Sequence, residues 1–65
     1  MKVKYDRAQD ILYISFSDEA IHESDEEKKG IILDDTADGQ IAGIEALNAS
    51  KRVENPSKVE YGVAL

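Results

Sequence analysis

Fourteen acidic residues, eight basic ones, a single histidine and no cysteine leave carboxylates as the groups most able to do chemistry in this 65-residue chain. The sharpest pattern is Asp34-x-Thr36-x-Asp38-Gly39-Gln40-Ile41-x-x-x-Glu45, the spacing of a calcium-binding loop, in which Asp34, Thr36, Asp38 and Glu45 would offer oxygen ligands. Such a loop needs a helix on each side. Gly30-Ile31-Ile32-Leu33 is instead short, β-branched and led by glycine. The same residues therefore read as a hairpin turning at Asp38-Gly39, where glycine takes a positive φ at no steric cost. On this reading no metal site is assigned, and Asp34, Asp38 and Glu45 remain only as weak cation ligands.

Glu45 stands in an apolar strand, on the face it shares with Ile41 and Leu47. A buried carboxylate requires a cation or hydrogen-bond donors, because an unpaired buried charge is very costly. Lys51 and Arg52 come a few residues later, and the hydroxyls of Tyr13 and Tyr5 are further candidates. Glu45, Lys51 and Arg52 thus form the candidate ligand-binding group; a structural ion pair is the plainer reading of the same residues. His22, Glu23 and Asp25 could hold a divalent metal, and a histidine among carboxylates is a pH-sensitive group. The plainer reading there is a solvated acidic segment that keeps a sheet edge from pairing.

Nothing supports nucleophilic catalysis, and no catalytic residue is assigned. Ser15, Ser17, Ser24, Ser50 and Ser57 lack a nucleophile-elbow context, and His22 would have to serve them all. The four glycines are scattered singly, so no phosphate-cradling loop exists and no cofactor is expected. Tyr5, Tyr13, Phe16 and Tyr61 could stack bases, but a net charge of −6 opposes direct nucleic-acid binding, which depends on neutralising phosphates.

The elements that must position these groups are mostly strands. Lys2 to Tyr5 alternates polar and apolar, Asp6 to Gln9 is a polar connection, and Asp10 to Ser17 is β-branched and aromatic on both faces. Ala20 to Ser24 reads as a short edge strand anchored by Ile21, and Asp25 to Lys29 reads equally well as a loop. Ile31 to Asp34 and Gln40 to Asn48 flank the Asp-Gly turn. Asn48 or Ser50 can cap a helical turn over 50–54, which Asn55-Pro56 ends. Lys58 to Val63 alternates again, as a last strand or an exchanged arm.

These elements predict an α+β, mainly β fold: an antiparallel four- to five-stranded meander with a short C-terminal helical turn. Residues 1–52 would form one small domain and 53–65 an extension. Leu12, Ile14, Phe16, Ile32, Ile44 and Ala46 should share a core face; Val3, Tyr5, Tyr13, Ile31, Leu33, Ile41 and Leu47 divide between core and interface. Below about 70–80 residues a core usually needs a staple, and without cysteine the remaining one is oligomerisation. The expected partners are therefore a second copy (a homodimer) or a small basic protein. No signal-peptide run comes after Met1 and no span of membrane length occurs, so a cytoplasmic setting away from membranes is expected.

Tyr5-Asp6, Ala8-x-Asp10-x-Leu12-Tyr13-Ile14-x-Phe16, Gly30-Ile31-Ile32-Leu33-Asp34, Asp38-Gly39, Gly43-Ile44-Glu45 and Ala49-Ser50-Lys51-Arg52 together resemble a small prokaryotic and phage family, domain of unknown function 2283. The resemblance covers roughly residues 1 to 52. It departs at Arg7, where the family often carries proline, and the acidic stretch 18–29 is not distinctive of it. It implies a compact antiparallel sheet and brings no established activity; some relatives look like members of toxin–antitoxin gene pairs. The expected function is a non-catalytic protein-interaction module, in its sharpest form an antitoxin-like cover for a basic partner such as a small nuclease. The alternative is a small ligand- or metal-binding enzyme with Glu45, Lys51 and Arg52 at a subunit junction.

Overall fold

The computed structural model describes residues 1–65. β-Branched and aromatic runs separated by turn residues produce five strands: β1 (Lys2–Asp6), β2 (Ile11–Ser15), β3 (Glu23–Lys28), β4 (Ile31–Asp35) and β5 (Ile41–Leu47). A one-turn helix, α1 (Ala49–Arg52), completes the ordered elements. All neighbouring strands are antiparallel, in the order β1-β2-β5-β4-β3. The predicted sheet and helical turn are present. The meander itself is interrupted once: β1 and β2 form a hairpin, β3 to β5 form a second unit, and residues 16–22 cross to the far edge to join them. No helix is long and apolar enough to cross a membrane.

Local chemistry sets each turn. Asp6 accepts a hydrogen bond from the Gln9 amide at 3.0 Å, bending the β1–β2 connection. Gly30, at φ 83°, closes the tight β3–β4 turn, and its amide donates to the Glu26 carboxylate at 2.7 Å. The Asp38-Gly39 hairpin forms as expected, flanked by strands rather than helices, with the Thr36 amide donating to the Gln40 carbonyl at 2.8 Å.

Strand pairing arranges the side chains in rows. One face carries Val3, Ile14, Ile44 and Leu33 in one row, and Tyr5, Leu12, Ala46 and Ile31 in the next. The other carries Lys4, Tyr13, Glu45, Ile32 and Glu26, beside Lys2, Ser15, Gly43, Asp34 and Ser24. Ile32 therefore leaves the predicted core face and its neighbours Ile31 and Leu33 take its place, because side chains alternate strictly along a strand.

Four further expectations are corrected. Phe16, just beyond β2, is 44% exposed rather than core. The acidic segment pairs with β4 as β3, three to four residues later than the predicted edge strand, and Ile21 is exposed instead of anchoring it. Its backbone pairing outweighs its poor strand propensity. Residues 58–63 form no strand and stay exposed. The helix starts at Ala49, and Asn48 gives it no side-chain cap.

The sheet is a single layer. No large side chain is fully buried, and the buried apolar residues are Ala42 and Ala49. The radius of gyration, 12.5 Å, exceeds the roughly 11 Å of a packed domain this long. A four-residue helix, about 6 Å long, is too short to form a second layer over five strands.

Candidate functional site

Glu45 lies in mid-sheet between Tyr13 of β2 and Ile32 of β4. Its partner is neither Lys51 nor Arg52. Partial burial, a hydrogen bond to the Asp34 carboxylate and that group's negative charge, in this order, hold the Glu45 carboxyl proton to higher pH than an ordinary glutamate. Asp34 is buried and also accepts a hydrogen bond from the Ser24 hydroxyl at 2.6 Å. The register explains the meeting. Asp34 pairs with Gly43 and Glu45 with Ile32, so the two carboxyl groups are diagonal neighbours across the hairpin. Gly43 puts no side chain between them, and a Cβ there would press on the Ile14 carbonyl.

Beside this pair, Lys2, Lys4, Tyr13 and Ser15 line a shallow hollow of about 240 Å³. The Lys4 ammonium stands 5.7 Å from the Tyr13 ring centroid, a cation–π distance. Lys2 is engaged with Asp18 at 3.3 Å. A larger hollow of about 370 Å³, between Glu54, Asn55, Lys58 and Glu60, is lined by no hydrophobic residue.

Lys51 is exposed, whereas Arg52 is a fastener. Its Nε donates to the Leu47 carbonyl at 2.8 Å and its Nη2 to the Lys29 carbonyl, tying α1 to the β3–β4 turn. The guanidinium rests against Gly30, where a side chain would collide with it. The predicted trio of Glu45, Lys51 and Arg52 is therefore not joined by ion pairs; the salt bridges are Lys2–Asp18 and Lys58–Glu60.

The calcium-loop residues divide in the same way. Asp34 and Glu45 converge on the sheet face, but Thr36 donates to Asp38 within the turn. That hydrogen bond holds the Asp38 carboxyl below the usual carboxylate range. No three His, Asp or Glu side chains gather as a metal site, those of His22, Glu23 and Asp25 included.

Asp10 is the structural centre that the sequence concealed. With a left-handed backbone, φ 57°, its carboxylate accepts from the Tyr5 hydroxyl at 2.6 Å, the Ser50 hydroxyl at 2.6 Å and the Ser50 amide at 2.9 Å. Its carbonyl accepts from the Ala49 amide at 2.9 Å. Asp10 thus caps a helix some 40 residues away in sequence. The Ser50 and Tyr5 hydroxyls together lower its pKa, and the carboxylate in turn raises that of Tyr5.

The β3 edge presents a different chemistry. Glu23, Asp25, Glu26 and Glu27 lie on a six-residue strand that is exposed throughout, with Asp18 and Glu19 just before it. None of the four strand carboxylates forms an ion pair, and the outer backbone groups of β3 face no further strand.

Among known families, the model described as "Protein of unknown function (DUF2283)" matches residues 2–50. No curated protein and no solved structure matches the chain.

Proposed function

We propose, from the premise that the chain belongs to the DUF2283 family of proteins of unknown function, that it is a non-catalytic protein-interaction module whose acidic β3 edge binds a basic protein partner. The observation that carries this reading is the free edge strand bearing Glu23, Asp25, Glu26 and Glu27 with no cation of the chain's own against them. Open backbone groups supply strand pairing, and the carboxylates supply charge steering toward Lys- and Arg-rich surfaces. In its antitoxin-like form, the partner is a small basic protein such as a nuclease, covered and held inactive.

Co-expression with its gene neighbours tests the proposal. A stable complex that dissociates on raising salt, and is lost in the triple variant Glu23→Lys/Asp25→Lys/Glu27→Lys, supports it. A complex insensitive to both perturbations, or no complex with any neighbour, contradicts it.

A second reading, a ligand-binding or enzymatic site at Glu45, is favoured by the Asp34–Glu45 carboxyl pair beside the hollow lined by Lys4 and Tyr13. In that reading Glu45→Gln removes binding or turnover while leaving the fold intact.

A further inference from the structure

We propose that the C-terminal arm, residues 57–63, is a strap that closes over the open edge of β1 as a further antiparallel strand. In the structure the arm stands open and exposed. This edge lies opposite the acidic one, and its closure does not depend on the partner of β3.

β1 is the outer strand on its side of the sheet, so its outward backbone groups meet no other strand. The arm has the pattern such an edge requires. Val59, Tyr61 and Val63 alternate with Lys58, Glu60 and Gly62, the period of a strand with one apolar side. All three apolar side chains are exposed, Tyr61 to 78%. Lys58 and Glu60 pair with each other at 3.3 Å.

The root of the arm sets its direction and register. Arg7, immediately beyond β1, donates from Nη2 to the Ser57 hydroxyl at 3.4 Å. The arm therefore begins beside the far end of β1 and can lie along it only by running back, antiparallel. With Ser57 facing Arg7, Lys58 falls opposite Asp6, Val59 opposite Tyr5 and Glu60 opposite Lys4. Tyr61 then meets Val3, Gly62 meets Lys2 and Val63 meets Met1. The apolar pairs share the face of Val3 and Tyr5, and the charged pairs share that of Lys4. Opposite charges and apolar side chains directly across from one another stabilise a ladder.

Neighbouring registers do not match. A slip of one residue turns Val59 and Tyr61 onto the Lys4 face. A slip of two sets Glu60 against Asp6 in one direction and Lys58 against Lys4 in the other, like charges both times.

Ordering the arm's backbone opposes closure, which leaves open and closed forms in exchange. Closure trades one exposed ion pair for two cross-strand ones and covers Val59 and Tyr61 on one side. It also removes a hazard. Lys2 and Lys4 on the β1 edge complement the carboxylates of β3, and two such edges on different copies can pair head to tail without end.

The chain has no cysteine, so an engineered pair reads the register directly. Residues directly opposite on antiparallel strands lie about 4.5–5.5 Å apart at Cα, within reach of a disulfide. Val3→Cys/Tyr61→Cys is compared with Val3→Cys/Val59→Cys, two residues out of register, in a glutathione buffer at low protein concentration. Closure of an unstructured arm depends only weakly on its length, so the in-register pair is expected to form its intramolecular disulfide roughly tenfold more favourably only if the strap closes. Equal formation by the two pairs, or a disulfide-linked dimer as the main product, overturns the proposal.

Amide hydrogen exchange supplies a second test without cysteines. Glu60→Lys, which sets like charges against Lys4, is expected to speed exchange across residues 59–63 about threefold or more. The charge-swapped Lys4→Glu/Glu60→Lys should restore the wild-type rates. Exchange in the arm that is indifferent to both changes overturns the proposal as well.

Discussion

Replacing Glu45 with glutamine should stabilise the protein at neutral pH, whereas an ion pair from Glu45 to Lys51 or Arg52 would make the same change destabilising. Burial and the neighbouring Asp34 raise the proton affinity of Glu45 in the folded chain. Between the unfolded value of about 4.3 and the raised folded value, the folded state therefore binds more protons than the unfolded one. Stability contributed by this group is fully present below the unfolded value and is lost as pH rises through the folded one. Glutamine has nearly the same shape, donates a hydrogen bond to Asp34 and carries no charge. Like charges on adjacent strands cost about 0.2–1 kcal/mol, and the partial exposure of Glu45 keeps the gain within that range through solvent screening. A gain of about 0.5–1 kcal/mol corresponds to about 2–8 °C in melting temperature for a domain of this size. Melting curves of both proteins, recorded by far-UV circular dichroism at fixed concentration from pH 4 to pH 8, give the answer. The difference should be largest at pH 7–8 and vanish near pH 4. A variant less stable than the wild type at pH 7 would refute the carboxyl-pair account and point to a cation or donor held by Glu45.

The geometry makes three other outcomes testable. Gly43→Ala should destabilise by about 1–3 kcal/mol in chemical denaturation, because the new methyl meets the Ile14 carbonyl in the middle of the sheet, whereas Gly62→Ala, with open space around it, should change nothing. Asp10→Asn keeps a residue tolerant of the left-handed backbone but loses the charge; because the Asp10 pKa is depressed, the wild type should lose stability as pH falls through the folded value, and this part of the acid limb should be absent from the variant. Arg52→Lys cannot reach both the Leu47 and Lys29 carbonyls at once, so hydrogen exchange at the β3–β4 turn should accelerate, with about 0.5–1.5 kcal/mol lost per hydrogen bond removed.

The strands are legible in the sequence where hydrophobic alternation and turn chemistry agree, as at Lys2–Tyr5, Ile31–Asp34 and the Asp38-Gly39 hairpin. They are illegible where pairing overrides composition: the acidic Glu23–Lys28 segment becomes a strand because β4 offers it a complete ladder. Which face Ile31, Ile32 and Leu33 present depends on register with β5, and three consecutive aliphatic residues carry no alternation to reveal it. Glu45 stands out as a carboxylate in an apolar strand, but proximity in sequence points to the wrong partner. Lys51 and Arg52 are close along the chain, while Asp34 is close only after the hairpin folds. That signal is recoverable, since folding about residues 36–40 sets Asp34 across from Gly43, two residues from Glu45. Asp10 offers no local signal, because the helix it caps lies at the other end of the sheet's sequence. Several residues that carry the family resemblance (Tyr5, Asp10, Gly30, Ser50 and Arg52) prove to fasten the fold to itself.

Native mass spectrometry of the protein isolated from its own host, with its gene neighbourhood intact, tests the interaction reading most directly. The account predicts a heteromeric mass containing a basic partner chain, released on raising ionic strength and absent when Glu23, Asp25 and Glu27 are reversed to lysine. A spectrum holding only copies of this chain at every ionic strength would contradict it.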